Sequence, residues 1–119
     1  MNTISDITPS LALVIRLVEE FRKLGPQVPI QVMQVYCEIA RDPDVSMKDL
    51  GLRTGLQQSS VSRAISSLSS RNRHDKSGMN LVVSKEDPMN RRRKTVRLTH
   101  TGKLVAKALG EAVSHYTGR

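Results

Sequence analysis

The sequence predicts a mainly α domain carrying one small β-hairpin and organised around a helix-turn-helix. Residues 47–66, MKDLGLRTGLQQSSVSRAIS, place Leu50, Gly51, Leu56, Val61, Ala64 and Ile65 at the spacing of two short helices that cross steeply and hinge at Gly55. Residues 81–98 hold two short apolar runs joined by Asp87-Pro88-Met89-Asn90, with Asp and Pro at the first two turn positions and an Asn able to take unusual dihedrals. The net charge of +8 is also unevenly placed. Residues 1–47 hold four Lys or Arg against six Asp or Glu, a balance of −2, and residues 48–119 hold fifteen against five, a balance of +10. The half with the helix pair and the hairpin therefore carries the positive potential, and a polyanion is the expected partner.

At 119 residues the chain is expected to be a single domain, near the size at which a further interface helps stability. Residues 1–7 are polar and expected to fray. Thr8 offers an N-cap hydroxyl and Pro9 a first helical position, which opens a helix to about Leu24, stopped by Gly25-Pro26. Its apolar residues form two stripes, Leu11, Val14, Val18 and Phe21 on one and Leu13, Leu17 and Leu24 on the other, with Ile15 beside the first. A helix apolar on two sides needs two surfaces, and a second subunit is the simplest source of the second.

Pro29 is expected to open the next helix, with Ile30, Met33, Val35, Tyr36, Ile39 and Ala40 on its apolar side, and Asp42-Pro43-Asp44 to break it. Ser46 can cap the first helix of the central pair, and Asp49 suits its first turn. Gly51 lets the second helix approach closely, and Gly55 can take the left-handed conformation that ends the first. The second helix starts around Gln57 to Ser59 and buries Val61, Ala64, Ile65 and Leu68. Its other face is Gln57, Gln58, Ser59, Ser62, Arg63, Ser66 and Ser67, with Ser60 beside them. Five serines without an acid make a poor solvated helix face but suit an approach to base edges and phosphates in a major groove.

After Leu68 the pattern dissolves into SSRNRHDKSGMN, where Arg71, Arg73 and Lys76 either prolong the helix along a nucleic-acid backbone or lie on a loop. In the hairpin, Arg91, Arg92, Arg93 and Lys94 are four consecutive cations that repel one another unless an anion lies between or beneath them. Thr99 is expected to cap a last helix with Leu104, Val105, Ala108, Leu109, Ala112, Val113 and Tyr116 as its apolar stripe. The chain thus divides into dimerisation helices at 8–24 and 99–116, a helix-turn-helix at 46–70 and a hairpin at 81–98.

Other chemistries find little support. The single Cys37 excludes an internal disulfide and a cysteine-based zinc site, and beside Val35, Tyr36 and Ile39 it reads as a small buried hydrophobe. Redox control through it has no neighbouring cation to support it. His74, His100 and His115 fall in a loop, a helix start and a tail, with no metal-ligand, phosphate-loop or triad pattern, so no enzyme, cofactor or metal is expected. Three aromatics, Phe21, Tyr36 and Tyr116, are too few for a base-stacking platform, which favours duplex over single-stranded nucleic acid. No signal peptide or membrane-spanning run is legible, and a cytoplasmic protein, of bacterial, phage or plasmid origin, is the expectation.

The order helix, helix, helix-turn-helix, hairpin, helix, together with DPMNRRRKTVRLTHTG at Asp87 to Gly102, resembles the winged-helix regulators of the MarR family, whose wing reads approximately D-P-x-D-R-R followed by V-x-L-T-x-x-G. The match covers about Pro29 to Leu109. The resemblance implies a homodimer built from the first and last helices, one recognition helix per subunit in the major groove, and a wing arginine in the adjacent minor groove. By position Arg92 matches that wing-tip arginine and Arg91 its neighbour. Two departures stand out: Asn90 replaces the Asp that braces the wing arginine, and the stretch between Leu68 and Leu81 is several residues longer than the family's connection. Family members often sense lipophilic ligands, but no anchor for a small-molecule effector is visible in these stripes.

The leading expectation is a dimeric, sequence-specific double-stranded DNA-binding transcriptional regulator, a repressor by default. It reads a palindromic operator through Gln57, Gln58, Ser59, Ser60, Ser62, Arg63 and Ser66, with Arg71, Arg73, Arg91, Arg92, Arg93 and Lys94 holding the backbone and minor groove. The alternative is a winged-helix replication, architectural or protein-interaction module of a phage or plasmid without operator control.

Overall fold

A computed structural model describes residues 4–25, 27–69 and 78–117. Five helices and three strands follow one another as α1 (Ile4–Arg22), α2 (Ile30–Arg41), β1 (Val45–Ser46), α3 (Met47–Thr54), α4 (Gln58–Leu68), β2 (Val82–Asp87), β3 (Asn90–Leu98) and α5 (His100–Thr117). They form two compact units, Pro29–Leu104 and Met1–Val28 with Val105–Arg119. The winged helix-turn-helix expected from the residues is the observed fold.

The larger unit has one core. α2 contributes Val32, Val35, Tyr36 and Ile39, α3 contributes Leu50, α4 contributes Val61, Ala64, Ile65 and Leu68, and Val45, Leu81, Val82 and Val96 close it from the sheet side. The α4 stripe is the one that the 3.6-residue period marks. On α2 the period was shifted: Val32 is buried, whereas Ile30 stands exposed in the first turn, where the helix has just entered from Pro29. Cys37 is also exposed rather than buried, because it lies one position beyond the Val35–Tyr36 pair on a helix that buries only one face.

Tyr36 is fully buried, and its hydroxyl donates to the Gly102 carbonyl at 2.7 Å. Burial, with a smaller contribution from the neighbouring Cys37, pushes its phenol up to about 12. The unfolded chain releases this proton near pH 10, so the stabilisation is complete below pH 10 and declines as pH rises towards 12. Relative to Tyr36→Phe, the wild-type chain is expected to lose roughly 2 kcal/mol of stability over that interval, read by urea unfolding at each pH. Parallel curves for the two proteins would assign no such role to the phenol.

The sheet has the order β1-β3-β2 and is antiparallel throughout. Its two-residue edge strand, pairing Val45 with Val96 and Ser46 with Thr95, was not legible in the sequence. Asp44 before it has a positive φ of 64°, and its carboxylate takes Arg97 of β3 at 2.9 Å. Asp42, at the end of α2, takes Arg53 of α3 at 2.6 Å. The breaker Asp42-Pro43-Asp44 therefore also ties α2, α3 and β3 together through its two carboxylates.

In the helix pair, Ser46 caps α3 by accepting the Asp49 N–H at 3.0 Å, and Gly55 ends it at φ 74° with its N–H on the Gly51 carbonyl at 2.9 Å. After α4 the chain returns alongside it, with the Met79, Asn80 and Leu81 N–H groups donating to the carbonyls of Ser67, Ser69 and Leu68. Thr99 caps α5, its hydroxyl accepting the Gly102 N–H at 3.0 Å and donating to the Asn80 carbonyl at 2.7 Å.

In the smaller unit, α1 begins at Ile4, so Thr8 does not cap it and Pro9 lies inside it. The ring imposes a helical φ, and near the N-terminus its missing N–H removes only one backbone bond. α1 ends at Arg22 rather than Leu24, the last residues closing as a turn with Leu24 N–H on the Phe21 carbonyl. Leu11, Val14, Ile15 and Val18 are exposed on α1, as are Val113 and Tyr116 on α5. Glu20 is buried between Arg16 at 3.1 Å and Lys23 at 2.9 Å, and the Lys23 hydrogen bond leads in holding its carboxyl below the usual range. No helix among the described residues is long and apolar enough to cross a membrane.

Candidate nucleic-acid interface

The outer face of α4 is fixed by what its inner face buries. With Val61, Ala64, Ile65 and Leu68 turned inward, Gln57, Ser59, Ser62 and Arg63 are exposed, and Ser60 and Ser66 are partly so. The Arg63 guanidinium lies 3.5 Å from the Ser60 hydroxyl, a weak contact that leaves it free to turn outward. Gln57 occupies the N-cap position without a side-chain bond to the helix, so the first N–H groups of α4 remain open to an anion at the positive end of the helix.

Gln58 has a different place. Its amide lies across Gly51, where a Cβ would collide with it, and Nε2 donates to the Met47 carbonyl at 3.1 Å. This contact pins the start of α4 to the start of α3 and leaves the Gln58 carbonyl oxygen and the second amide N–H as its remaining polar groups. A Cβ at Gly51 would meet chiefly the end of the Gln58 side chain, with the Leu56 carbonyl 3.3 Å from the same position.

The hairpin is longer than the two apolar runs indicated, because the charged residues between them pair as well. β2 and β3 stay in register from Val82–Leu98 to Glu86–Lys94, then shift so that Asp87 faces Asn90. Asp87 organises the tip. Its Oδ1 accepts the Met89 N–H at 2.9 Å, and its Oδ2 takes the Arg93 guanidinium at 3.1 Å. The Met89 bond first, and Arg93 after it, hold the Asp87 carboxyl below the usual range. Asn90 keeps a negative φ, contrary to the expected unusual dihedral, and its side chain accepts the Arg92 N–H at 3.1 Å. The brace on a wing arginine therefore comes from Asp87, and the arginine it holds is Arg93.

Strand alternation puts Arg92 and Lys94 on the same side as buried Val96. Together with Asn90 and Arg93 they form one wall of an open cleft of about 690 Å³, whose other wall is Ser46, Met47, Lys48 and Asp49 of the α3 start and Gln58 and Ser62 of α4. Lys48 is a residue that the sequence did not single out. It stands in the first turn of α3, where the helix dipole disfavours a cation. A lysine at that position was the available signal. Among the described residues Lys48, Arg91, Arg92 and Lys94 form no ion pair, in contrast to Arg53, Arg93 and Arg97, whose charges are matched by carboxylates. Arg71 and Arg73 lie outside the described residues, and α4 itself ends at Leu68 with Ser69 as its C-cap. No group of three or more metal-ligating side chains occurs among the described residues.

Neither a protein-family model nor a curated protein matches the chain. Solved structures do. The transcriptional regulator PcaV from Streptomyces coelicolor, in complex with its natural ligand, is 23% identical over 98% of this chain and 81% of its own, at a TM-score of 0.60. A MarR-like transcriptional regulator from Thermotoga maritima is 21% identical over 99% and 79% of the two chains at 0.67. A MarR transcriptional regulator from Methanosarcina mazei is 17% identical over 95% and 75% at 0.67. At these identities the likeness establishes architecture, and the chain has the winged helix-turn-helix fold of the MarR-type transcriptional regulators.

Proposed function

We propose that this protein is a sequence-specific double-stranded DNA-binding transcriptional regulator, acting as a homodimer and most simply as a repressor, with no enzymatic activity. The observation that carries this reading is the cleft between α4 and β3, where Lys48, Arg92 and Lys94, unpaired among the described residues, outnumber the single carboxylate of Asp49 and stand around Gln58 and Ser62 of α4. One DNA strand in the cleft would neutralise those cations while α4 enters the major groove. Gln57, Ser59, Ser62, Arg63 and the free carbonyl of Gln58 then meet base edges, and Ser60 and Ser66 sit at the margin. Arg71 and Arg73 are proposed as further backbone contacts. The exposed Leu11, Val14, Ile15 and Val18, which share one face of α1 by their spacing, support the dimer, since an exposed apolar face marks an interaction surface. Two recognition helices about one turn of DNA apart (roughly 34 Å) call for inverted half-sites.

Selection of random duplexes by the purified protein at about 150 mM salt tests this. An enriched inverted repeat is the expected result, and enrichment of no sequence would overturn operator reading. With six to ten phosphates neutralised, affinity for the selected site is expected to fall by roughly 10³ to 10⁵ between 50 and 200 mM salt. Lys48→Ala is expected to weaken specific and non-specific duplexes alike and to reduce the slope of log affinity against log salt by about 1 per site, measured by fluorescence anisotropy titration. A loss confined to the specific site would instead make Lys48 a base reader.

A further inference from the structure

Met89 occupies the tip of the hairpin with 92% of its surface exposed, more than any other large hydrophobic residue among those described. Turn positions of this kind ordinarily carry Gly, Asn, Asp or Ser, so a long apolar side chain here has no local conformational purpose. The tip is also held firmly. The Met89 N–H is bonded to Asp87, Asp87 is bonded to Arg93, the Arg92 N–H is bonded to Asn90, and Pro88 fixes its own φ. A side chain presented from so constrained a turn meets a target without first ordering the loop. The residues behind it, Arg91, Arg92 and Lys94, are cations without ion pairs among the described residues, which an electronegative groove would draw inward.

We infer that Met89 is an apolar wedge: its thioether side chain enters the minor groove ahead of the wing cations and partly unstacks a base step. The inference rests on the duplex-binding reading above. Apolar side chains carried into the minor groove by basic arms act this way, kinking the duplex by about 20–90° towards the major groove. Methionine suits the task, being unbranched, polarisable and able to adapt to the gap between two bases. Because unstacking opposes the new contacts, the wedge governs the shape of the complex and the preference for deformable pyrimidine–purine steps more than it governs affinity.

The test uses the duplex that the wild-type protein selects, with 2-aminopurine placed in turn at each base step flanking the recognised half-sites. Wild-type protein at saturation is expected to raise 2-aminopurine fluorescence by about twofold or more at one step per half-site. Met89→Leu, which keeps an apolar wedge, retains the rise. Met89→Ala abolishes it and removes the bend seen in a gel-phasing assay, while Arg92→Ala, assayed at a concentration that restores saturation, retains it. Saturated wild-type complex with no rise, or the same rise in Met89→Ala, would overturn the wedge while leaving DNA binding intact. Failure of the wild-type protein to bind any duplex would overturn the DNA reading and the wedge with it.

Discussion

Arg92→Ala is expected to lower affinity for the selected duplex about 30-fold or more, equivalent to roughly 2 kcal/mol, the scale of one hydrogen bond to a charged group. Arg92 lies on the cleft-facing side of β3 opposite Lys48 and Ser62, its backbone is fixed by Asn90, and its guanidinium has no carboxylate partner among the described residues. No carboxylate among the described residues therefore neutralises its charge, which leaves it for the proposed duplex contact. Arg93, one residue on, already spends part of its hydrogen-bonding capacity on Asp87. Arg93→Ala should cost less directly, and part of its effect should come from loosening the tip. Equilibrium titrations of both variants, with circular dichroism to confirm unchanged fold, check the order. Affinity of Arg92→Ala unchanged within about a factor of two would remove the wing from the binding mechanism, since one charge-assisted contact is worth more than that.

Gly102→Ala is expected to destabilise the larger unit by about 2–3 kcal/mol, the upper part of the overpacking range. A Cβ at this position runs into the carbonyl of Leu81, which already accepts the Thr99 N–H at 2.9 Å, and it also presses on the Leu98 side chain. The obstruction is backbone, so a side-chain rotation cannot relieve it. Gly102 also supplies the carbonyl that receives the Tyr36 hydroxyl and the N–H that Thr99 caps. A shift of this residue would disturb the α2, β2 and α5 contacts together. Gly51→Ala makes a useful contrast, because its Cβ meets chiefly the movable end of Gln58. Urea denaturation of the two variants should show the larger loss for Gly102→Ala, and equal losses would point away from the Leu81 contact.

Much of this was legible in the residues. The period of Val61, Ala64, Ile65 and Leu68 identified the buried side of α4, because an amphipathic helix must bury its apolar stripe whatever its surroundings. Ser46, Gly55 and Thr99 announced helix ends, since capping and the left-handed turn are local chemistry settled within a few residues. Asp87-Pro88-Met89-Asn90 located the hairpin turn for the same reason. Where local signals competed, the reading slipped. Thr8-Pro9 resembles a helix start and yet lies inside α1, and the apolar neighbours of Cys37 suggested burial for a side chain that the helix turns outward.

The sequence by itself determined the order of elements, the inward stripes, the caps and the side of the chain that carries positive charge, all of which depend on spacing along the backbone. Tertiary structure alone decided the rest. It paired Val45–Ser46 with β3, spent Gln58 on Met47, matched Arg53, Arg93 and Arg97 with carboxylates, and left Arg92 and Lys94 facing Lys48 across a cleft. Those outcomes depend on distances between residues remote in sequence. A charge is free or neutralised according to what folding brings within about 4 Å of it, which no run of letters specifies.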